Sequence, residues 1–197
     1  VGLTTLADFI SDSAAVTEIR LDKNPITGAE QNRSKLGDPW EKIDSDLAGL
    51  SALGKAMTSS TISTLSLADC HLGPVGLTTL AEFISDSPAA VTEIRLDGNP
   101  ITGSKDKLNE YGEKIGIEEY DCDPSGFVAL LDAMKSSAVS KISIANCDIG
   151  PKGLMTSAPL ISVIPALSEV DLENNGAISA AGLKDLQKSY PNIKFTT

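Results

Sequence analysis

Aromatic side chains are scarce in this sequence: four Phe, three Tyr and one Trp among 197 residues. The core must therefore be aliphatic, built from Leu, Ile, Val and Ala. No apolar run approaches the ~20 residues that a membrane-spanning helix needs. The opening stretch VGLTTLADFI lacks the basic start and small-residue cleavage site of a secretory signal. It also lacks an initiator Met, so a fragment or processed product of a longer chain is expected at the N-terminus. Basic residues are in the minority, 16 Lys and Arg against 27 Asp and Glu, for a net charge of −11 and a pI near 4.5. Such a surface repels phosphate backbones and anionic membranes, which argues against nucleic acid and membranes as partners.

Reactive chemistry is equally sparse. The three cysteines, Cys70, Cys122 and Cys147, are an odd number without a secretory signal, which points to free thiols in a reducing, cytoplasmic compartment. His71 is the single histidine, and no Ser-His-Asp set can be assembled around it. GNPITGSKDK holds Gly and Lys without phosphate-loop spacing, and no Cys-x-x-Cys pair suits zinc. No enzyme activity, cofactor or metal is expected.

What the chain does have is repetition. Residues 1–28 match 75–103 at all but two positions once Pro88 is skipped, and 47–77 align more weakly with 124–154. A shorter unit lies inside this long one. IRLDKN (19–24), LSLADC (65–70), IRLDGN (94–99), ISIANC (142–147) and VDLENN (170–175) share an apolar-x-apolar-x-x-(Asn or Cys) pattern, and IKFTT (193–197) closes the series. Alternation over so few residues predicts strands of three to five residues. Between them, Leu3, Leu6, Phe9 and Ile10, or Leu77, Leu80, Phe83 and Ile84, fall at the three- and four-residue spacing of a helix face, as do Leu50, Leu53, Ala56 and Met57 and the run from Phe127 to Met134. Strand alternating with helix predicts a parallel sheet, and stacked units share a core that one unit cannot close alone. Residues 19 and 21, 65 and 67, 94 and 96 should point inward.

The step from Leu67 to Leu96 is 29 residues and from Ile144 to Leu172 is 28. With the order L-x-L-x-x-C-x-L, Gly, then helically spaced Leu in LSLADCHLGPVGLTTLAEFI, the units resemble leucine-rich repeats of the ribonuclease-inhibitor-like class. The resemblance spans nearly the whole chain. It implies a single α/β domain over 1–197, a horseshoe segment of leucine-rich-repeat solenoid with a concave parallel β-sheet and convex helices. It also implies that Asn24, Cys70, Asn99, Cys147 and Asn175 sit in the turn after each strand and bond to backbone. Two units apart, at ~4.8 Å per strand, Cys70 and Cys147 are too distant for a disulfide.

Two steps are too long: 46 residues from Leu21 to Leu67 and 48 from Leu96 to Ile144. The surplus lies in insertions at 29–46 and 104–123, both after an NPITG turn and both before a helix, so both should leave the same rim. Their ends align Asp44 with Asp121 and Asp46 with Asp123. Helix capping explains these carboxylates most simply. A calcium site that also uses Glu118 and Glu119 and direct partner contact are the other readings. Trp40, Tyr111 and Tyr120 in the insertions either pack their loops onto the rim or anchor a partner.

Strand alternation also defines the concave surface. Its columns read Glu18, Thr64, Glu93, Lys141, Glu169; then Arg20, Ser66, Arg95, Ser143, Asp171; then Asp22, Ala68, Asp97, Ala145, Glu173. Charged rungs alternate with small, uncharged ones in the last two columns. This is either a self-neutralised, solvated surface or a docking face for a protein with exposed basic residues. The leading functional reading is a protein–protein interaction module that uses the concave sheet and the rim insertions. The resemblance adds GTPase activation, or the sensor region of a larger receptor, as alternatives.

Overall fold

The computed structural model describes residues 2–13, 15–31, 40–86, 91–176 and 178–196. Six parallel strands form one sheet in chain order: β1 (Glu18–Arg20), β4 (Thr64–Ser66), β5 (Glu93–Arg95), β8 (Lys141–Ser143), β9 (Glu169–Asp171) and β10 (Lys194–Thr196). Helices α1 (Gly2–Ser11), α2 (Ala48–Met57), α3 (Pro74–Asp86), α4 (Ser125–Met134), α5 (Pro151–Ile161) and α6 (Ala180–Ser189) alternate with them. The registers Glu18↔Thr64↔Glu93↔Lys141↔Glu169 and Arg20↔Ser66↔Arg95↔Ser143↔Asp171 set the first two columns side by side across the sheet. The chain is a leucine-rich-repeat solenoid in architecture, with the aliphatic core between sheet and helices.

That core contains Leu65, Leu67, Ile94, Leu96, Leu77 and Leu130, all fully buried. Each such side chain contributes roughly 1.5–3 kcal/mol on leaving water. One expected core residue departs from the pattern. Phe9, on the apolar side of α1, is 62% exposed, whereas its copy Phe83 is 8% exposed. The reason is position in the stack, because α2 lies over Phe83 and no described unit lies over Phe9.

The turn after each strand has a fixed shape. The residue before the Asn or Cys adopts a left-handed conformation on every rung: Lys23 (φ 62°), Asp69 (54°), Gly98 (69°), Asn146 (54°) and Asn174 (56°). This bend directs the following side chain inward, under the sheet edge. Asn99 Nδ2 donates to the carbonyls of Leu67 and Leu96, and its Oδ1 accepts from the amides of Cys70 and Leu72. Asn175 repeats this on the unit before it, with the carbonyls of Ile144 and Leu172 and the amides of Cys147 and Ile149. The thiols reach in the same direction, to the carbonyl of the preceding unit. Cys70 Sγ reaches the Leu21 carbonyl at 3.1 Å and Cys147 Sγ the Leu96 carbonyl at 3.3 Å. Asn-type and Cys-type units are therefore complementary, with Asn supplying most of the polar contacts and Cys filling the gap.

All three cysteines are free thiols. Burial pushes the Cys70 thiol up to about 11 and raises Cys147 further still, while Cys122 is only partly buried. Thiolate is the reactive form. A disulfide reagent at neutral pH should therefore modify one thiol per folded chain, Cys122, and all three after denaturation. Peptide mapping of the labelled site checks the assignment.

Candidate partner-binding surface

The concave face is less open than its column pattern suggests. Arg20 pairs with Glu18, Arg95 lies 3.7 Å from Glu93, and Glu169 binds both Lys141 (3.6 Å) and Lys194 (2.8 Å). The Glu18 hydrogen bond and charge raise the Arg20 pKa, and Lys194 followed by Lys141 lowers that of Glu169. These pairs are solvent-exposed, so they add little stability.

Asp22 and Asp97 have a different role, one that explains the alternation of charged and small rungs. Asp22 Oδ1 accepts from Ser66 Oγ at 2.6 Å and from the Ala68 amide at 2.9 Å. Asp97 does the same with Ser143 and the Ala145 amide. Ser and Ala recur on the Cys-type rungs because a small side chain leaves room for the neighbouring carboxylate. Both aspartates belong to the wall of the concave face. Arg20, Arg95, Lys141, Asp171 and Glu173 remain on its surface.

Each insertion contains a two-stranded antiparallel ribbon: β2 (Glu30–Gln31) with β3 (Trp40–Glu41), and β6 (Lys105–Leu108) with β7 (Lys114–Glu119). At both stems the chain crosses a left-handed glycine, Gly28 (φ 80°) and Gly103 (φ 66°), where a Cβ would press on the returning strand at Asp46 or Asp123. Capping at the ends of the insertions is double. Asp46 accepts from the Ala48 amide and Asp123 from the Ser125 amide, so each serves the helix that follows it directly. Asp44 and Asp121 instead reach one unit onward. Asp44 accepts from the Gly73 and Val75 amides at 3.0 Å each, and Asp121 from the Gly150 (2.9 Å) and Gly153 (2.7 Å) amides. Each carboxylate thus closes the positive N-terminal end of a helix, α3 or α5, in the next repeat. The Gly-Pro-x-Gly stretches at 73–76 and 150–153 receive them, because a Cβ at any of these four glycines would lie 2.5–2.7 Å from a carboxylate oxygen.

The aromatic residues divide. Trp40 stacks on His71 with ring centroids 3.8 Å apart, which ties the first ribbon to the turn of the following Cys-type unit. Burial lowers the His71 pKa. Tyr120 packs beside Gly150. Tyr111 stands at the end of the second ribbon, 59% exposed, and Leu108 and Ile115 are exposed along it. Lys114 is partly buried, which lowers its pKa, but hydrogen bonds to Asp106 and Asp148 outweigh this and hold it charged. Through Asp148 (2.7 Å) that lysine fastens the second ribbon to the next turn. Between the ribbons runs a groove of about 630 Å³, with Trp40 and Ile43 on one wall, Leu108 and Lys114 on the other, and Asn99 and Asn146 in its floor. Both insertions therefore leave the same rim. Asp44, Asp46, Asp121 and Asp123 are engaged with backbone amides, Glu119 pairs with Lys105, and among the described residues no group of three or more His, Cys, Asp or Glu is placed to hold a metal ion. No helix among the described residues is long and apolar enough to cross a membrane.

The Leucine Rich repeat family model matches residues 58–81, the stretch from the end of α2 through the Cys70 turn into α3. The chain thus carries a stretch that matches the family model within a leucine-rich-repeat fold. This leucine-rich-repeat chain shares its fold with the structure titled Leiomodin-1 Actin-Binding Site 2, at a TM-score of 0.61 and 14% identity, covering 94% of this chain and 87% of that one. It is similar to the tropomodulin C-terminal domain of Caenorhabditis elegans to the same TM-score, 0.61, at 13% identity, with 98% and 93% covered. Identities this low establish shared architecture. No curated protein matches the sequence significantly.

Proposed function

We propose that this leucine-rich-repeat chain is a protein-binding module whose partner contacts both the concave sheet and the two rim ribbons. The observation that carries this reading is the pairing of the ribbons. They are inserted at equivalent points two units apart, clamped by equivalent aspartates, and they flank one groove with exposed Trp40 and Leu108 on its walls, while Tyr111 stands exposed at the end of the second ribbon. Clamping one ribbon onto the next repeat twice over makes a rigid, preformed surface, which lowers the ordering cost of binding. The mixed charges of the concave rungs add polar contacts beside this apolar rim. The structural likeness to an actin-binding site of leiomodin supports a macromolecular protein as the ligand class. GTPase activation and receptor sensing are narrower forms of the same proposal.

The test is capture of partners from lysate on the immobilised chain, compared with the Arg20→Ala, Arg95→Ala, Trp40→Ala, Tyr120→Ala quadruple variant at unchanged thermal midpoint. Loss of a specific partner by at least about tenfold, the effect of removing one hot-spot residue, is the expected result. Equal recovery of every wild-type partner removes these residues from the interface. Pelleting with filamentous actin decides directly whether actin is that partner.

A further inference from the structure

The groove between the ribbons combines an exposed indole with carboxylates that lack cations. The ribbons spring from units two apart, ~10 Å at ~4.8 Å per strand. Once the wall side chains are counted, that width admits a guest side chain and excludes a whole α-helix, which is ~10–12 Å across. On one wall Trp40 stacks on His71, and the tryptophan is still 39% exposed. Burial lowers the His71 pKa below its ordinary value of 6.5, so the imidazole against the indole is neutral at pH 7. Ile43 on the same wall and Leu108 on the other are exposed as well.

The charges of the groove do not balance. Asp106, Glu113 and Asp148 line it, against Lys105 and Lys114. Lys105 is engaged by Glu119 at 2.7 Å, and Lys114 is shared between Asp106 (2.8 Å) and Asp148 (2.7 Å). Glu113 bonds to the neutral side-chain amide of Asn109. Three carboxylates against one lysine leave two negative charges unmatched among the described lining residues. Asn146, exposed in the floor, adds an amide oxygen.

We infer that this groove recognises an arginine side chain, carried between apolar neighbours on an extended segment of the protein partner. The inference rests on the protein-binding reading above and names the chemistry of its ligand. A guanidinium is planar and stacks on aromatic faces, of which the indole is the best. Its fork of N–H donors also bonds carboxylates two at a time. Trp40 on one wall and Asp106, Glu113 and Asp148 toward the other offer both contacts across one gap. A lysine has the charge but neither the planar face nor the fork. An acidic segment is repelled by the same carboxylates and by the net charge of −11. Apolar residues beside the arginine meet Ile43 and Leu108. The His71 stack fixes the first wall and the Lys114 pairs fix the second, so little ordering is left to oppose binding.

The experiment pans a displayed library of random peptides on the intact chain, then measures one enriched peptide by fluorescence anisotropy. Enriched sequences should carry Arg flanked by Leu, Phe or Trp. Replacing that Arg by Lys should weaken binding by at least about tenfold, the size of a single hot-spot loss. Leu108→Ser and the double change Asp106→Asn, Glu113→Gln should each weaken it by about the same factor. Neither touches the Trp40 stack, and thermal melting confirms that each variant is folded. Met155→Ser, at an exposed apolar residue of α5, should leave the affinity unchanged. Added salt should weaken binding, since charge pairs in an open groove are screened. Enriched peptides without Arg, or an Arg peptide indifferent to the Leu108 and carboxylate changes, overturn the arginine site. A peptide that loses affinity only on Arg20→Ala or Arg95→Ala also overturns it, and leaves the wider protein-binding reading standing. A library that enriches nothing overturns the site as well, and the lysate capture then decides whether protein binding falls with it.

Discussion

Asn99→Ala should destabilise the chain by about 3–5 kcal/mol, while Asn24→Ala, the same change in the other copy, should cost about 1 kcal/mol or less. The contrast follows from burial and not from residue type. Asn99 is 1% exposed, and its removal strands the Cys70 and Leu72 amides and the Leu67 and Leu96 carbonyls where water cannot replace it. A buried polar group left without a partner costs roughly 1–3 kcal/mol. Asn24 is exposed and serves only two carbonyls of its own unit, which water can satisfy. Urea unfolding of both variants checks the pair, with the slope monitored so that a change in cooperativity is not mistaken for a change in stability. Equal losses would show that the bonds across units contribute nothing beyond the local turn.

Asp121→Ala should cost about 3–4 kcal/mol, since a carboxylate accepting from two buried amides makes charge-assisted bonds of roughly 1.5–3 kcal/mol each. The Gly150 and Gly153 amides would be left facing a void at the start of α5, and the end of the second insertion would lose its tie to the next repeat. At roughly 2–4 °C per kcal/mol for a chain of this size, the midpoint should fall by about 10 °C. Asp44→Ala should cost less, about 1–2 kcal/mol, because the same bonds to Gly73 and Val75 lie in a half-exposed site where water can substitute. Calorimetry of the two variants measures the difference. If Asp121→Ala melts with the parent, the carboxylate is dispensable and α5 is capped by other means.

These two predictions mark where sequence reasoning succeeds and where it stops. Ile94 and Leu96 are recognisable as core residues because alternation in a short strand leaves them one side to face. Asn99 is recognisable because the pattern recurs five times. The capping role of Asp46 and Asp123 is visible from their place before a helix. The longer reach of Asp44 and Asp121 is not, because their partners are backbone amides of glycines and leave no side-chain signature. The available hint was the Gly-Pro-x-Gly stretch that begins 29 residues after each of them. The stacking of Trp40 on His71 was hidden for a related reason: it joins an insertion to the turn of a different unit. Helical spacing places Phe9 on the core face, yet spacing cannot tell whether a neighbouring unit covers it.

The sequence by itself determined the repeat, its period, the parallel sheet, the concave columns and the shared rim of the two insertions. All of these follow from periodicity, which is a property of the chain read along its length. Only the tertiary structure decided which charges remain on the surface, how the ribbons are clamped and which copy of a duplicated face is covered. Those outcomes depend on what lies across the stack, ~5 Å away in space but 29 or more residues away in sequence, where no local pattern reports it.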